Sequence, residues 1–120
     1  MVFGFSTLLG MAEVQPGDDL QAVLNKGADL VLQKGAVYEI SQTLRYKNPG
    51  QKIYTKDARF PSDYATLKLI NQDEVTIVNA YAVEGAVLEH VTCDGNRYSL
   101  GVRPYPDGKK VHQPGIANFG

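Results

Sequence analysis

The strongest constraint on this chain is its hydrophobic periodicity, which is short and strand-like almost everywhere. Beyond Gly27, apolar and polar residues alternate at period two in brief runs. These are Leu30–Leu32, Val37–Ile40, Thr43–Tyr46, Lys52–Thr55, Ala65–Ile70, Val75–Val78 and Ala86–Cys93. Branched residues are frequent in them, as suits a pleated, half-buried surface. Turn residues such as Asn48-Pro49-Gly50 and Asp94-Gly95-Asn96 separate them. No second helical pattern lies between the runs. Doubly wound folds need a helix between successive parallel strands, so they are excluded.

The one helix signal lies near the start, in QPGDDLQAVLNKGADLVL. Asp18 is expected as the N-cap, with Gln21 at capping-box spacing. Leu20, Val23 and Leu24 form a single apolar stripe. Lys26 suits the last turn and Gly27 a left-handed stop. Such a helix is too short to persist alone, so its stripe must cover other structure.

Charge narrows the choice of partners. Twelve Lys and Arg face thirteen Asp and Glu, a net charge of -1. No basic excess points to nucleic acid, and no acidic run points to a solvating tail. Cys93 is the single cysteine, which leaves no internal disulfide or Cys-pair metal motif and reads as a small apolar side chain. Residues 1–13 stand apart from 14–120. The uncharged MVFGFSTLLGMA is too short to span a bilayer, which takes about 20 apolar residues. It reads either as a truncated signal sequence, with Gly10 and Ala12 in a small-x-small pattern, or as a first strand or disordered start.

Two all-β architectures suit the short runs. One is an antiparallel hairpin domain, and the other is a stack of coils with polar corners. The segment Gly17 to Ile40, GDDLQAVLNKGADLVLQKGAVYEI, resembles the start of right-handed parallel β-helix proteins of the pectate-lyase-like superfamily. Asp29, Val31, Gly35, Tyr38 and Ile40 occupy the matching places of their first coil. Val75 to Arg97, with VTIVNA and VLEHVTCDGNR, is similar to a later phrase of that family. The resemblance implies an all-β, right-handed parallel β-helix with a short N-terminal capping helix. It further implies an extracellular or cell-surface protein acting on polysaccharide, as a lyase or glycoside hydrolase, with calcium as a possible cofactor. Relatives in that family are longer, and HQPGIANFG looks like the approach to another strand. The expectation is therefore an N-terminal part of a larger protein, or self-association through an uncapped C-terminal end.

No catalytic motif of the family falls on these residues, so catalytic positions stay unassigned and no metal ligands are expected. Asp18-Asp19 is explained by capping. Candidate substrate contacts lie in two places. Lys56, Arg59 and Tyr64 belong to the polar connection YTKDARFPSDY. His90, Asp94, Arg97 and Tyr98 surround the last strong run. Arginine can pair a sugar carboxylate and tyrosine can stack on a ring, although turn chemistry also accounts for Asp94-Gly95-Asn96. His112 has no identified partner and is expected in solvent. Two rivals to the enzyme reading remain: a non-catalytic polysaccharide-binding or scaffold segment, as in a phage tailspike or adhesin, and a small antiparallel binding domain.

Overall fold

The computed structural model describes residues 6–8 and 10–100. His112 and the HQPGIANFG segment lie outside them. The described chain begins with a hairpin, β1 (Ser6–Leu8) antiparallel to β2 (Met11–Glu13). Helix α1 (Leu20–Asn25) follows. Then come β3 (Asp29–Leu32), β4 (Val37–Ile40), β5 (Leu44–Arg45), β6 (Lys52–Thr55) and β7 (Ala65–Leu69). The last elements are β8 (Val78–Asn79), β9 (Val87–Glu89), β10 (Val91–Asp94) and α2 (Arg97–Leu100).

The strands form three small sheets. The first has the order β1-β2-β3-β6-β9, the second β10-β7-β4, and the third pairs β5 with β8. Every pairing except β1 with β2 is parallel. The chain visits the sheets in turn, so like residues stack. Leu30, Ile53 and Leu88 share a register across the first sheet. Tyr38, Leu67 and Cys93 do so across the second. Leu44 lies beside Val78 in the third. These columns meet inside, with Leu30, Leu32, Ile53, Leu67, Leu69 and Val78 fully buried.

The expected all-β, right-handed parallel β-helix is corrected by this arrangement. The fold is mixed α/β: three small sheets and two short helices, with no closed solenoid. The third sheet consists of two two-residue strands, too few ladder bonds to wall one side. Val75–Val78 does not form a strand along its length. Val75 is exposed, and Thr43 Oγ1 donates to the Thr76 carbonyl at 2.7 Å. Ala86–Cys93 splits at His90, whose φ of 55° turns the backbone left-handed. A second helix, α2, follows Asn96, where no helical period was visible.

Helix α1 forms with the expected stripe, and Leu20, Val23 and Leu24 are all buried. Its cap is one residue later than expected. Asp19 is the N-cap and accepts from Ala22 N–H at 3.1 Å. Asp18 instead accepts from Gln15 N–H at 2.7 Å and closes the preceding turn. Gly27 takes φ +86° just after the helix, and its flank is filled by the Asn48 side-chain amide.

One buried amide fastens the helix end to the sheets. Gln51 is 2% exposed. Its Nε2 donates to the carbonyls of Leu24 (3.1 Å) and Ala28 (2.7 Å). Its Oε1 accepts from Lys47 N–H (2.7 Å) and Asn48 N–H (3.2 Å). Removing it strands the buried Ala28 carbonyl and takes a bond from the Leu24 carbonyl and from the Lys47 and Asn48 N–H groups. Gln51→Leu should therefore lower unfolding free energy by about 3 kcal/mol. The check is the shift of a urea unfolding curve, and a loss below about 1 kcal/mol would mean the four bonds are not acting as a buried network.

Candidate functional site

Because β3, β6 and β9 pair in one sheet and β4, β7 and β10 in another, the three connections between those sheets lie side by side. They are residues 33–36, residues 56–64 and His90. Backbone bonds tie the first two together. Gly35 N–H donates to the Asp63 carbonyl at 2.9 Å, and Lys56 N–H donates to the Leu32 carbonyl at 2.9 Å.

The middle connection is the longest and is held by its own carboxylate. Pro61–Asp63 makes a 3-10 turn. Asp63 Oδ2 accepts from Arg59 N–H (3.0 Å) and Phe60 N–H (3.2 Å). Those bonds, with Lys34 and Arg59 nearby, hold the Asp63 carboxyl below its usual range. The loop thereby presents Arg59 and Phe60 outward, and Phe60 is 63% exposed. A shallow depression of about 670 Å³ opens between them, lined by Lys34, Asp57, Ala58, Arg59, Phe60 and Asp63.

Tyr64 and His90 meet at one end of this edge. Each immediately precedes a strand, and Ala65 pairs with Val91. Their ring centroids are 5.3 Å apart with a 36° tilt. The edge thus brings Lys34 and Arg59 together with the carboxylates of Asp57 and Asp63, an exposed phenyl ring and a tyrosine–histidine pair. That set can stack on a flat apolar face and pair a carboxylate.

The other expected contacts fall elsewhere. Lys56 points to Glu13, with Nζ 2.6 Å from its carboxylate, and this hydrogen bond raises the Lys56 pKa. It does not line the depression. Asp94 Oδ1 accepts from Asn96 N–H at 2.7 Å, and Asn96 Nδ2 donates to the Leu69 carbonyl at 3.0 Å. Asp94 thus shapes the turn before α2. Arg97 and Tyr98 lie on α2, exposed and outside the depression. Lys34 and Phe60 are the residues that sequence reasoning did not place among the contacts. The Lys34-Gly35 turn between two strands was their available signal. The calcium implied by the resemblance has no ligand set here, since no three His, Cys, Asp or Glu gather to hold a metal among the described residues.

No family model matches the chain, and neither a curated protein nor a solved structure does.

Cys93 is half-buried in the second sheet, and burial pushes its thiol up to about 11 from 9.0. Only the thiolate attacks. Alkylation by iodoacetamide at pH 8 should run about a hundredfold slower in the folded protein than after denaturation. Its rate should keep rising with pH toward about 11. A folded-state profile that levels near 9.0, the ordinary thiol value, would contradict this.

Proposed function

We propose that this chain binds polysaccharide carrying uronate groups, along the edge formed by residues 33–36, residues 56–64 and His90. The observation that carries the reading is the Asp63-braced loop, which holds Arg59 and an exposed Phe60 over a depression shared with Lys34. Phe60 offers a face for a pyranose ring, and the guanidinium offers a planar fork for its carboxylate. Lys34 adds a second cation without demanding fixed geometry. Tyr64 and His90 extend the surface for a neighbouring sugar unit.

A sugar ligand and an extracellular or cell-surface setting are what the resemblance of residues 17–40 implies, although the solenoid that it also implies is not formed. The binding form is preferred over the lyase or hydrolase form. Asp63 is committed to two backbone N–H groups, and Asp94 to the turn at Asn96. Asp57 is the other carboxylate that lines the depression, so the committed Asp63 leaves it without the second free carboxylate that sugar cleavage uses.

The test compares retention of the protein by polygalacturonate and by an uncharged galactan in affinity electrophoresis. Polygalacturonate should retain it more strongly, and added salt should weaken that retention. Arg59→Ala should weaken binding roughly tenfold, and Phe60→Ala by a comparable factor. Equal retention by both polymers, or full retention by Arg59→Ala, would refute the reading.

A further inference from the structure

The second sheet ends on β4, which pairs only with β7 among the described residues. Its register fixes which backbone groups face outward. Thr66 N–H donates to the Ala36 carbonyl and Ile70 N–H to the Ile40 carbonyl, both at 2.9 Å. In this parallel ladder Ala36, Tyr38 and Ile40 turn their polar groups toward β7. Val37 and Glu39 therefore turn their N–H and C=O groups the other way. On that side is a groove of about 510 Å³ between Pro16–Gln21 and Val37–Gln42, with Ile70 at its rim.

The groove has a definite chemistry. Val37 and Ile70 are large apolar residues that are 49% and 41% exposed. Leu20 and Leu44 line it from within. The charged residues of its lining are Asp18, Asp19 and Glu39, with no Lys or Arg. Asp18 and Asp19 each accept a backbone N–H, which uses lone pairs but leaves the negative charge. Lys68, in register with Glu39, lies across β4 from the groove.

We propose that this edge takes an extended, basic polypeptide segment as an added strand. Backbone pairing to Val37 and Glu39 supplies the affinity that is independent of side chains. Specificity follows from the pleat, since neighbours on one face repeat at every second residue. A strand laid parallel to β4 places an apolar residue beside Val37 and a Lys or Arg two positions on, beside Glu39. The intervening residue turns to the side of Tyr38 and Ile40, toward Leu20 and Leu44, and is apolar. The acidic lining favours this basic segment and disfavours an acidic one. The same lining disfavours the anionic sugar proposed above, so the two sites are separate.

The probe is a fluorescein-labelled peptide, GSVVVKVSG, titrated into the full chain and followed by fluorescence anisotropy. Saturable binding is expected, weakened by salt and by about threefold in Glu39→Gln. A peptide with Pro at its central Val should lose binding beyond detection, because it lacks the N–H that pairs with β4. Replacing its Lys by Glu should also abolish binding. Val37 and Glu39 are exposed, so Val37→Thr and Glu39→Gln should fold, as unchanged thermal melts would confirm. Glu39→Gln should leave polysaccharide retention unaltered, so the two readings fail separately. Absence of binding to the unaltered chain overturns the proposal, as does equal binding of the Pro peptide. A concentration-dependent dimer that disappears in Val37→Thr would overturn it in favour of a second copy at this edge.

Discussion

The side-chain amide of Gln51 is the joint on which the described structure depends. Helix α1 has six residues, too few to hold itself, so its position comes entirely from what it touches. Its buried stripe fixes its depth on the sheets but not where it ends. Gln51 fixes the end by donating to the Leu24 carbonyl, which also accepts from Gly27 N–H, and to the buried Ala28 carbonyl just beyond the helix. The same amide gathers the Lys47 and Asn48 N–H groups. One polar side chain thus couples the helix stop, the entry to β3 and the turn before β6. Tyr38 performs a similar task nearby, donating to the Val14 carbonyl and accepting from Gln33 N–H at 2.8 Å each.

Parallel stacking then carries the fold along the chain. Each buried column needs an apolar residue at the same register of successive strands, as Leu30 and Ile53 or Tyr38 and Leu67 supply. Burial is complete where a described strand covers both sides and becomes partial at Leu88, Val91 and Cys93. Tyr46 spans two sheets, with its hydroxyl donating to the Val87 carbonyl. Burial raises the pKa of that hydroxyl above the ordinary tyrosine value.

Much of this was legible where one signal dominated. β4, β6 and β7 follow directly from period-two alternation, because one face of each is in the core. Other features depended on competition between equals. Asp18 and Asp19 can each cap, and the turn through Pro16 and Gly17 takes the first, leaving the second for the helix. Val75–Val78 has strand composition, yet the Thr43 hydroxyl takes the Thr76 carbonyl and only Val78 enters a strand. His90 interrupts the Ala86–Cys93 run through a left-handed φ, which is uncommon outside glycine although histidine is among the residues enriched there, and the resemblance places a corner at this position. The all-β expectation failed through such local interruptions, which leave three small sheets with two helices. Within the candidate site, Arg59, Tyr64 and His90 were visible as residues, but their shared edge was not. It comes from strand order, which brings residues 34 and 90 to one side of the molecule. The pairing of Lys56 with Glu13 was not legible either, because the two lie far apart in sequence.

The near-neutral total charge conceals a separation that strand order creates. Connections from the first sheet to the second carry every cation of the two clefts, Lys34 and Arg59 beside Asp57 and Asp63, whereas the turn before α1 and the open face of β4 carry only Asp18, Asp19 and Glu39. A single rounded surface of net charge -1 would have little preference for ligands of either sign. Two clefts of different lining do have one, because one mixes Lys34 and Arg59 with Asp57 and Asp63 while the other is acidic throughout, and the local field near a cleft depends on the charges within about a Debye length. The braces matter as much as the charges. Asp63 keeps its charge among the cations, and its two backbone N–H bonds hold Arg59 at the face of the loop. On the opposite groove, capping bonds orient Asp18 and Asp19 without neutralising them. Local hydrogen bonding thus determines which charges fold the chain and which remain available at its surface.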